Sequence, residues 1–188
     1  FYPAYGGYEE STTMTWGRTG FSNVYTADIK GRTMTLTAPE GISALSTGLI
    51  FKRTMSIPEK GTRIDFESTI TNISQGMKYA RLISHIELDT DPSQSVAGWI
   101  DASGKIVEED VKKGFYKDGA NTPRGSWYIK NKTTGWTVEN RFPARDIEAC
   151  HLMCYDTTKT LELETLGFEK NLAPGEKIVR KHSYEIRK

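Results

Sequence analysis

The side chains of this sequence best suited to moving protons are two carboxylates, Glu162 and Glu164, and one histidine set among charges, His85. Glu162 and Glu164 occupy alternate positions of the run Thr160-Leu-Glu-Leu-Glu-Thr165. On an extended strand such neighbours point the same way, roughly 6–7 Å apart. Carboxylates that close raise each other's pKa once they leave water. His85 lies in the stretch Tyr79 to Asp89, read as one strand. Alternation puts Arg81, His85, Glu87 and Asp89 on one side and Ala80, Leu82, Ile86 and Leu88 on the other. A histidine titrates near neutrality and serves as acid or base there. Two readings stand: a solvated outer face whose ion pairs contribute little, or the floor of a binding site. His182, on a strand of mixed faces, is expected to be a structural hydrogen-bonding residue. His151, between Cys150 and Leu152 in a run apolar on both faces, is expected in the core.

Four tryptophans and nine tyrosines add surfaces that could stack on sugar rings. Trp99 and Trp127 border turn-rich segments, where binding residues concentrate, and are candidate substrate contacts; core packing is the competing role. No nucleophile elbow, phosphate-cradling glycine loop, His-Glu-x-x-His or EF-hand is present. Asp89-Thr-Asp91 is too sparse for a calcium loop. Cys150 and Cys154 share one strand and stand roughly 13 Å apart, too far for a disulfide. No second ligand pair accompanies them, so no metal site is expected. Asn72 and Asn131 begin Asn-x-Ser/Thr sequons, which matter only in a eukaryotic secretory protein.

The elements that must position these groups are strands. Apolar residues alternate at period two from Gly48 to Ile57 and again from Ile64 to Ile70, around the turn Pro58-Glu-Lys-Gly61. Further hairpins pair 98–101 with 105–107 and 126–130 with 135–140, and 147–155, 159–166 and 176–187 read as closing strands. Residues 105–120 otherwise read as a loop, for want of an apolar stripe and because of Gly114 and Gly119. The prediction is an all-β protein: about ten antiparallel strands in a two-sheet sandwich, with 1–188 as a single domain and a loop-rich start over 1–23. The chain opens on Phe1 and reads as a piece of a larger protein.

With 188 residues and a formal net charge of +1, there is no electrostatic case for nucleic acid or an anionic membrane. No apolar run reaches the ~20 residues of a membrane span.

Three segments together resemble the galactose mutarotase-like supersandwich family, which includes aldose 1-epimerases and sugar-binding domains. They are Gly48-Leu-Ile-Phe-Lys-Arg53 with the strand Ile64 to Ser74 ending Thr-Asn-Ile-Ser, then His85, then Leu163-Glu164-Thr165 followed by Asn171-Leu-Ala-Pro-Gly-Glu176 and a long last strand. The resemblance covers about residues 45–187, and the family's N-terminal third has no counterpart. It implies His85 as the acid that protonates the ring oxygen and Glu164 as the base at the anomeric hydroxyl. Arg81, Glu87 and Glu162 would shape the sugar site. It also implies cofactor-independent chemistry, a carbohydrate partner and an extracytoplasmic, sugar-handling setting. Ile86-Glu-Leu-Asp89 departs from the aromatic-rich sequence that follows this histidine in the epimerases. The rival expectation is a non-catalytic structural module of a larger glycoside hydrolase or polysaccharide lyase. An immunoglobulin-type sandwich lacks its Cys…Trp…Cys pattern.

Overall fold

A computed structural model of the chain describes residues 7–11, 25–38, 47–155 and 159–188. Trp16 and most of the stretch 1–23 lie outside them. The described residues form strands β1 (Gly7–Ser11), β2 (Thr26–Lys30), β3 (Thr33–Ala38), β4 (Leu49–Ser56), β5 (Arg63–Asn72), β6 (Lys78–Ala80), β7 (Ile83–Asp89) and β8 (Ser95–Ile100). They continue with β9 (Ile106–Asp110), β10 (Phe115–Asp118), β11 (Ser126–Asn131), β12 (Thr137–Arg141), β13 (Ile147–Tyr155), β14 (Thr160–Gly167), β15 (Lys170–Leu172) and β16 (Lys177–Arg187). Among the described residues, helical structure is limited to three short 3-10 turns. The described residues thus build antiparallel β-sheets almost throughout.

Two expectations need correction. Residues 105–120 hold two strands, because β9 and β10 are short sheet edges whose charged outer residues hide the alternation. Tyr79 to Asp89 is not one strand: β6 ends at Ala80 and β7 begins at Ile83. The interruption lets the buried Arg81 side chain reach the Gly167 carbonyl, to which its Nε donates at 2.7 Å.

The chain divides into two compact units. The first comprises Phe1–Glu9, Ser84–Leu166 and Tyr184–Lys188; the second comprises Glu10–Ile83 and Gly167–Ser183. In the first, hydrogen-bonded order runs β7-β14-β13-β10 in one sheet and β12-β11-β8-β9 in the other. One core collects Leu161 and Leu163 of β14 and Cys150 and Leu152 of β13 with Trp99 of β8 and Trp127 and Ile129 of β11. Gly98 in the middle of β8 has a packing cause. A Cβ there would lie 2.1 Å from Cζ of Tyr128, whose ring covers the glycine.

The second unit pairs β2-β3-β4-β5-β16, with β6 and β15 as a separate ribbon. Its core holds Leu49, Phe51, Ile70, Leu82, Leu172 and Ile178. Here the Thr-Asn-Ile-Ser and Leu-Ala-Pro-Gly motifs meet. Buried Asn72 donates from Nδ2 to the carbonyls of Gly76 at 2.7 Å and Leu172 at 2.8 Å. Its Oδ1 accepts from Ser74 N at 2.9 Å and Ser74 Oγ at 2.7 Å. Its backbone N–H donates to the Glu176 carbonyl, and the Gly175 N–H donates to the Asn72 carbonyl. Asn72 is therefore a lock between two turns, and in the folded chain its sequon is inaccessible. Gly48 completes the arrangement at φ 80°, where a Cβ would come within 2.8 Å of Ser74 Cβ.

The same unit buries an ion cluster. Glu10 accepts from Arg53 Nε at 2.5 Å and Ser68 Oγ at 2.7 Å, with Arg180 Nη2 and His182 Nε2 each 3.8 Å away. Burial alone would raise the Glu10 pKa, but His182, Arg53 and Arg180 together bring it down to about 2. Burial is also the chief cause that lowers the His182 pKa. His182 is stacked on Phe66, with ring centroids 5.0 Å apart, as expected of a structural histidine.

Candidate functional site

The sheet β7-β14-β13-β10 has one apolar and one polar face, and strict alternation makes the division. Ile86 and Leu88, Leu161 and Leu163, Cys150 and Leu152, and Phe115 supply the core side. The intervening residues are His85 and Glu87, Glu162 and Glu164, His151 and Tyr155, and Tyr116, which alternation turns to the other face. Ser84 Oγ and Thr165 Oγ1, 2.8 Å apart, tie β7 to β14 beside these residues.

On that polar face His85, Glu87 and Glu162 bring donor atoms within 4.8 Å of one another. Glu162 is only 4% exposed. Burial, then the hydrogen bond and charge of Glu87, push its pKa up to about 8, against the opposing pull of the Tyr155 hydroxyl. Tyr155 Oη donates to Glu162 Oε2 at 3.3 Å. Burial and the same carboxyl push the phenol up to about 12. At neutral pH the face therefore holds a protonated carboxyl against a second carboxyl group and an imidazole. Such a set can accept hydroxyl donors, donate one proton and relay it. Once Glu162 gives up its proton, the same three side chains could hold a divalent cation.

Glu164, 1% exposed, lies with its Oε2 3.5 Å from His151 Nδ1. His151 packs edge-on against Tyr116 at 5.6 Å between ring centroids and keeps a side-chain exposure of 32%. The expectation of a core histidine at 151 is thus corrected. In β13 the core takes Cys150, Leu152 and Cys154, while His151, Met153 and Tyr155 stay half-buried on the opposite side. Neither cysteine forms a disulfide.

The tryptophans need a second correction. Trp99 and Trp127 are cross-strand partners in β8 and β11, 6% and 1% exposed, and are core residues with no ring face open to a ligand. Trp99 packs against Phe115, with Lys117 Nζ 4.3 Å above its ring. An exposed aromatic of this unit beside a turn is Trp136, which sequence reasoning passed over. Its signal was its place directly after the turn glycine Gly135 of the β11–β12 hairpin. Arg81 belongs to the second unit, where it also pairs with Glu169 at 3.2 Å. It thus holds the segment that follows β14.

No family model and no curated protein matches the chain in sequence. Solved structures do match in shape. The Slr1438 protein from Synechocystis sp. PCC 6803 superposes with a TM-score of 0.68 at 9% identity, over 86% of this chain and 65% of that one. A galactose mutarotase-like protein from Lactobacillus casei gives a TM-score of 0.62 at 10% identity, over 87% and 73% respectively. The alpha-galactosidase from Lactobacillus brevis gives a TM-score of 0.61 at 14% identity; 96% of this chain matches 26% of the enzyme. The chain therefore has the galactose mutarotase-like fold. It spans just under two thirds of the Synechocystis protein and about a quarter of the alpha-galactosidase.

Proposed function

We propose that the chain is a carbohydrate-binding domain of the mutarotase type, whose ligand is a neutral sugar held on the polar face of β7, β14 and β13. The observation that carries this reading is the group His85, Glu87 and Glu162, whose donor atoms lie within 4.8 Å of one another; the raised Glu162 pKa adds a hydroxyl donor to it. Such a group offers hydroxyls both acceptors and a donor, and it presents no fixed cation to draw an anionic ligand. Glu87 and Glu162 are the hydroxyl partners. Arg81 positions the end of β14 through the Gly167 carbonyl. Acting on an aldose, His85 protonates the ring oxygen and Glu164, steadied by His151, takes the anomeric proton. The ring then opens and recloses with no cofactor consumed.

The test is calorimetric titration with neutral aldoses alongside polarimetry of mutarotation. Millimolar binding that weakens about tenfold, ~1.4 kcal/mol, in Glu162→Ala supports the site. Loss of mutarotation in Glu164→Gln supports the catalytic roles. A chain that binds no aldose at tens of millimolar refutes the reading. A second reading is favoured by the match to a quarter of the alpha-galactosidase: a structural module of a larger carbohydrate-active enzyme. In that case His85→Ala and Glu164→Gln leave the parent's activity unchanged.

A further inference from the structure

Trp136 is 48% exposed, although its backbone is fixed. Its N–H donates to Thr134 Oγ1 at 3.3 Å, its carbonyl accepts from the Asn131 N–H at 2.9 Å, and Gly135 turns the chain at φ 78°. The indole borders a cavity of about 360 Å3 within the first unit. Ile129 and Val138 give it apolar wall, Asp89 and Asn131 give it polar edge, and Glu87 lines it as well. Asn131 is held rigidly. Its Nδ2 donates to Thr90 Oγ1 at 3.1 Å and its Oδ1 accepts from the N–H groups of Thr133 and Thr134. Glu87 therefore belongs both to this cavity and to the group with His85 and Glu162.

From this shared residue we infer that the cavity is a second sugar subsite. The ligand is then a neutral oligosaccharide of at least two residues, with one ring on Trp136 and the next at Glu87. This inference rests on the carbohydrate reading above and specifies its substrate class. An aromatic ring beside apolar wall and a few fixed polar groups is the usual make-up of a small-molecule pocket. The C–H face of a pyranose stacks on the indole while its equatorial hydroxyls reach Asp89 and Asn131. A wholly apolar ligand would strip water from Asp89 and Glu87 without replacing it. A uronate or sugar phosphate would meet two carboxylates.

The experiment compares neutral aldoses, their disaccharides and the matching uronic acids by calorimetry, on wild type and on Trp136→Ala and Trp136→Phe. The exposed ring makes Trp136→Ala fold normally, which an unchanged Tm verifies. The expected result is a disaccharide bound about tenfold more tightly than its monosaccharide. Trp136→Ala removes that increment and leaves monosaccharide affinity within about twofold, and Trp136→Phe restores most of it. Equal affinity for both lengths, with monosaccharide binding intact, overturns the subsite and leaves the carbohydrate reading standing. Equal loss of both lengths in Trp136→Ala overturns it too, since Trp136 would then belong to the primary site. Uronates bound as tightly as neutral sugars overturn the assignment of ligand class. A chain that binds neither length overturns both readings.

Discussion

Glu162 makes the chain's stability fall with rising pH, and the size of that fall can be worked out. Its carboxyl titrates at about 8 in the folded chain against an ordinary 4.5. A carboxyl whose folded pKa is raised contributes most below its unfolded value, near 4.5, and loses that contribution as pH rises through about 8. At about 1.4 kcal/mol per pH unit the gap sets a ceiling near 5 kcal/mol. Glu87 and Tyr155 beside it are half-exposed, so solvent screens the pair, and about 2 kcal/mol is the expected net effect. Glu162→Gln keeps the neutral form at every pH. The variant should match wild type within about 0.5 kcal/mol at pH 5. At pH 9 it should exceed wild type by about 2 kcal/mol, roughly 4–8 °C in Tm for a chain of this size. Melting curves followed by circular dichroism from pH 5 to 9 read the difference directly, since groups remote from Glu162 titrate alike in both proteins. A difference in Tm that stays constant across that range, or a variant less stable than wild type at pH 9, would refute the raised pKa of Glu162.

Two further predictions concern the second unit. Asn72→Ala strands the buried carbonyl of Leu172, takes one donor from the Gly76 carbonyl and frees the Ser74 turn, so urea unfolding should show a loss of about 2 kcal/mol; a loss below about 1 kcal/mol would mean water takes over the lock. Glu10→Gln leaves Arg53 and Arg180 without their shared carboxylate and should cost about 3 kcal/mol at pH 7. Because the Glu10 pKa is lowered to about 2, its contribution is present above about 4.5 and lost as pH falls towards 2. The urea midpoint of wild type should therefore drop between pH 4.5 and 2, while that of Glu10→Gln changes less; parallel acid limbs would show that other carboxylates drive acid unfolding.

The fold was legible because its signals are local. Period-two alternation and Gly or Pro turns mark β4, β5, β8, β11, β12, β13, β14 and β16, and the observed registers follow them. The candidate site was legible where polar and apolar residues alternate cleanly, as in Glu162 and Glu164 and in His85 and Glu87. It was not legible in β13. There Cys, Met and Tyr read as apolar on either side, so nothing local shows that His151 and Tyr155 turn away from the core. Trp99 and Trp127 failed for the opposite reason. A tryptophan near a turn looks the same in sequence whether its ring fills the core or faces water, and only the cross-strand pairing of β8 with β11 decides.

The motifs that prompted the family resemblance have a physical meaning that separates fold from chemistry. Asn72, Ser74, Gly48 and the Leu172 to Glu176 turn act on one another within the second unit, through backbone and amide hydrogen bonds that need no particular ligand. His85, Glu87, Glu162 and Glu164 act within the first, and their alternation needs only polar residues at those positions. The shape is shared with solved structures at 9–14% identity, and that likeness carries the fold alone. A sugar at the polar face has to be argued from the protonated Glu162 and its neighbours, which makes titration of that carboxyl the more direct probe of what the face can bind.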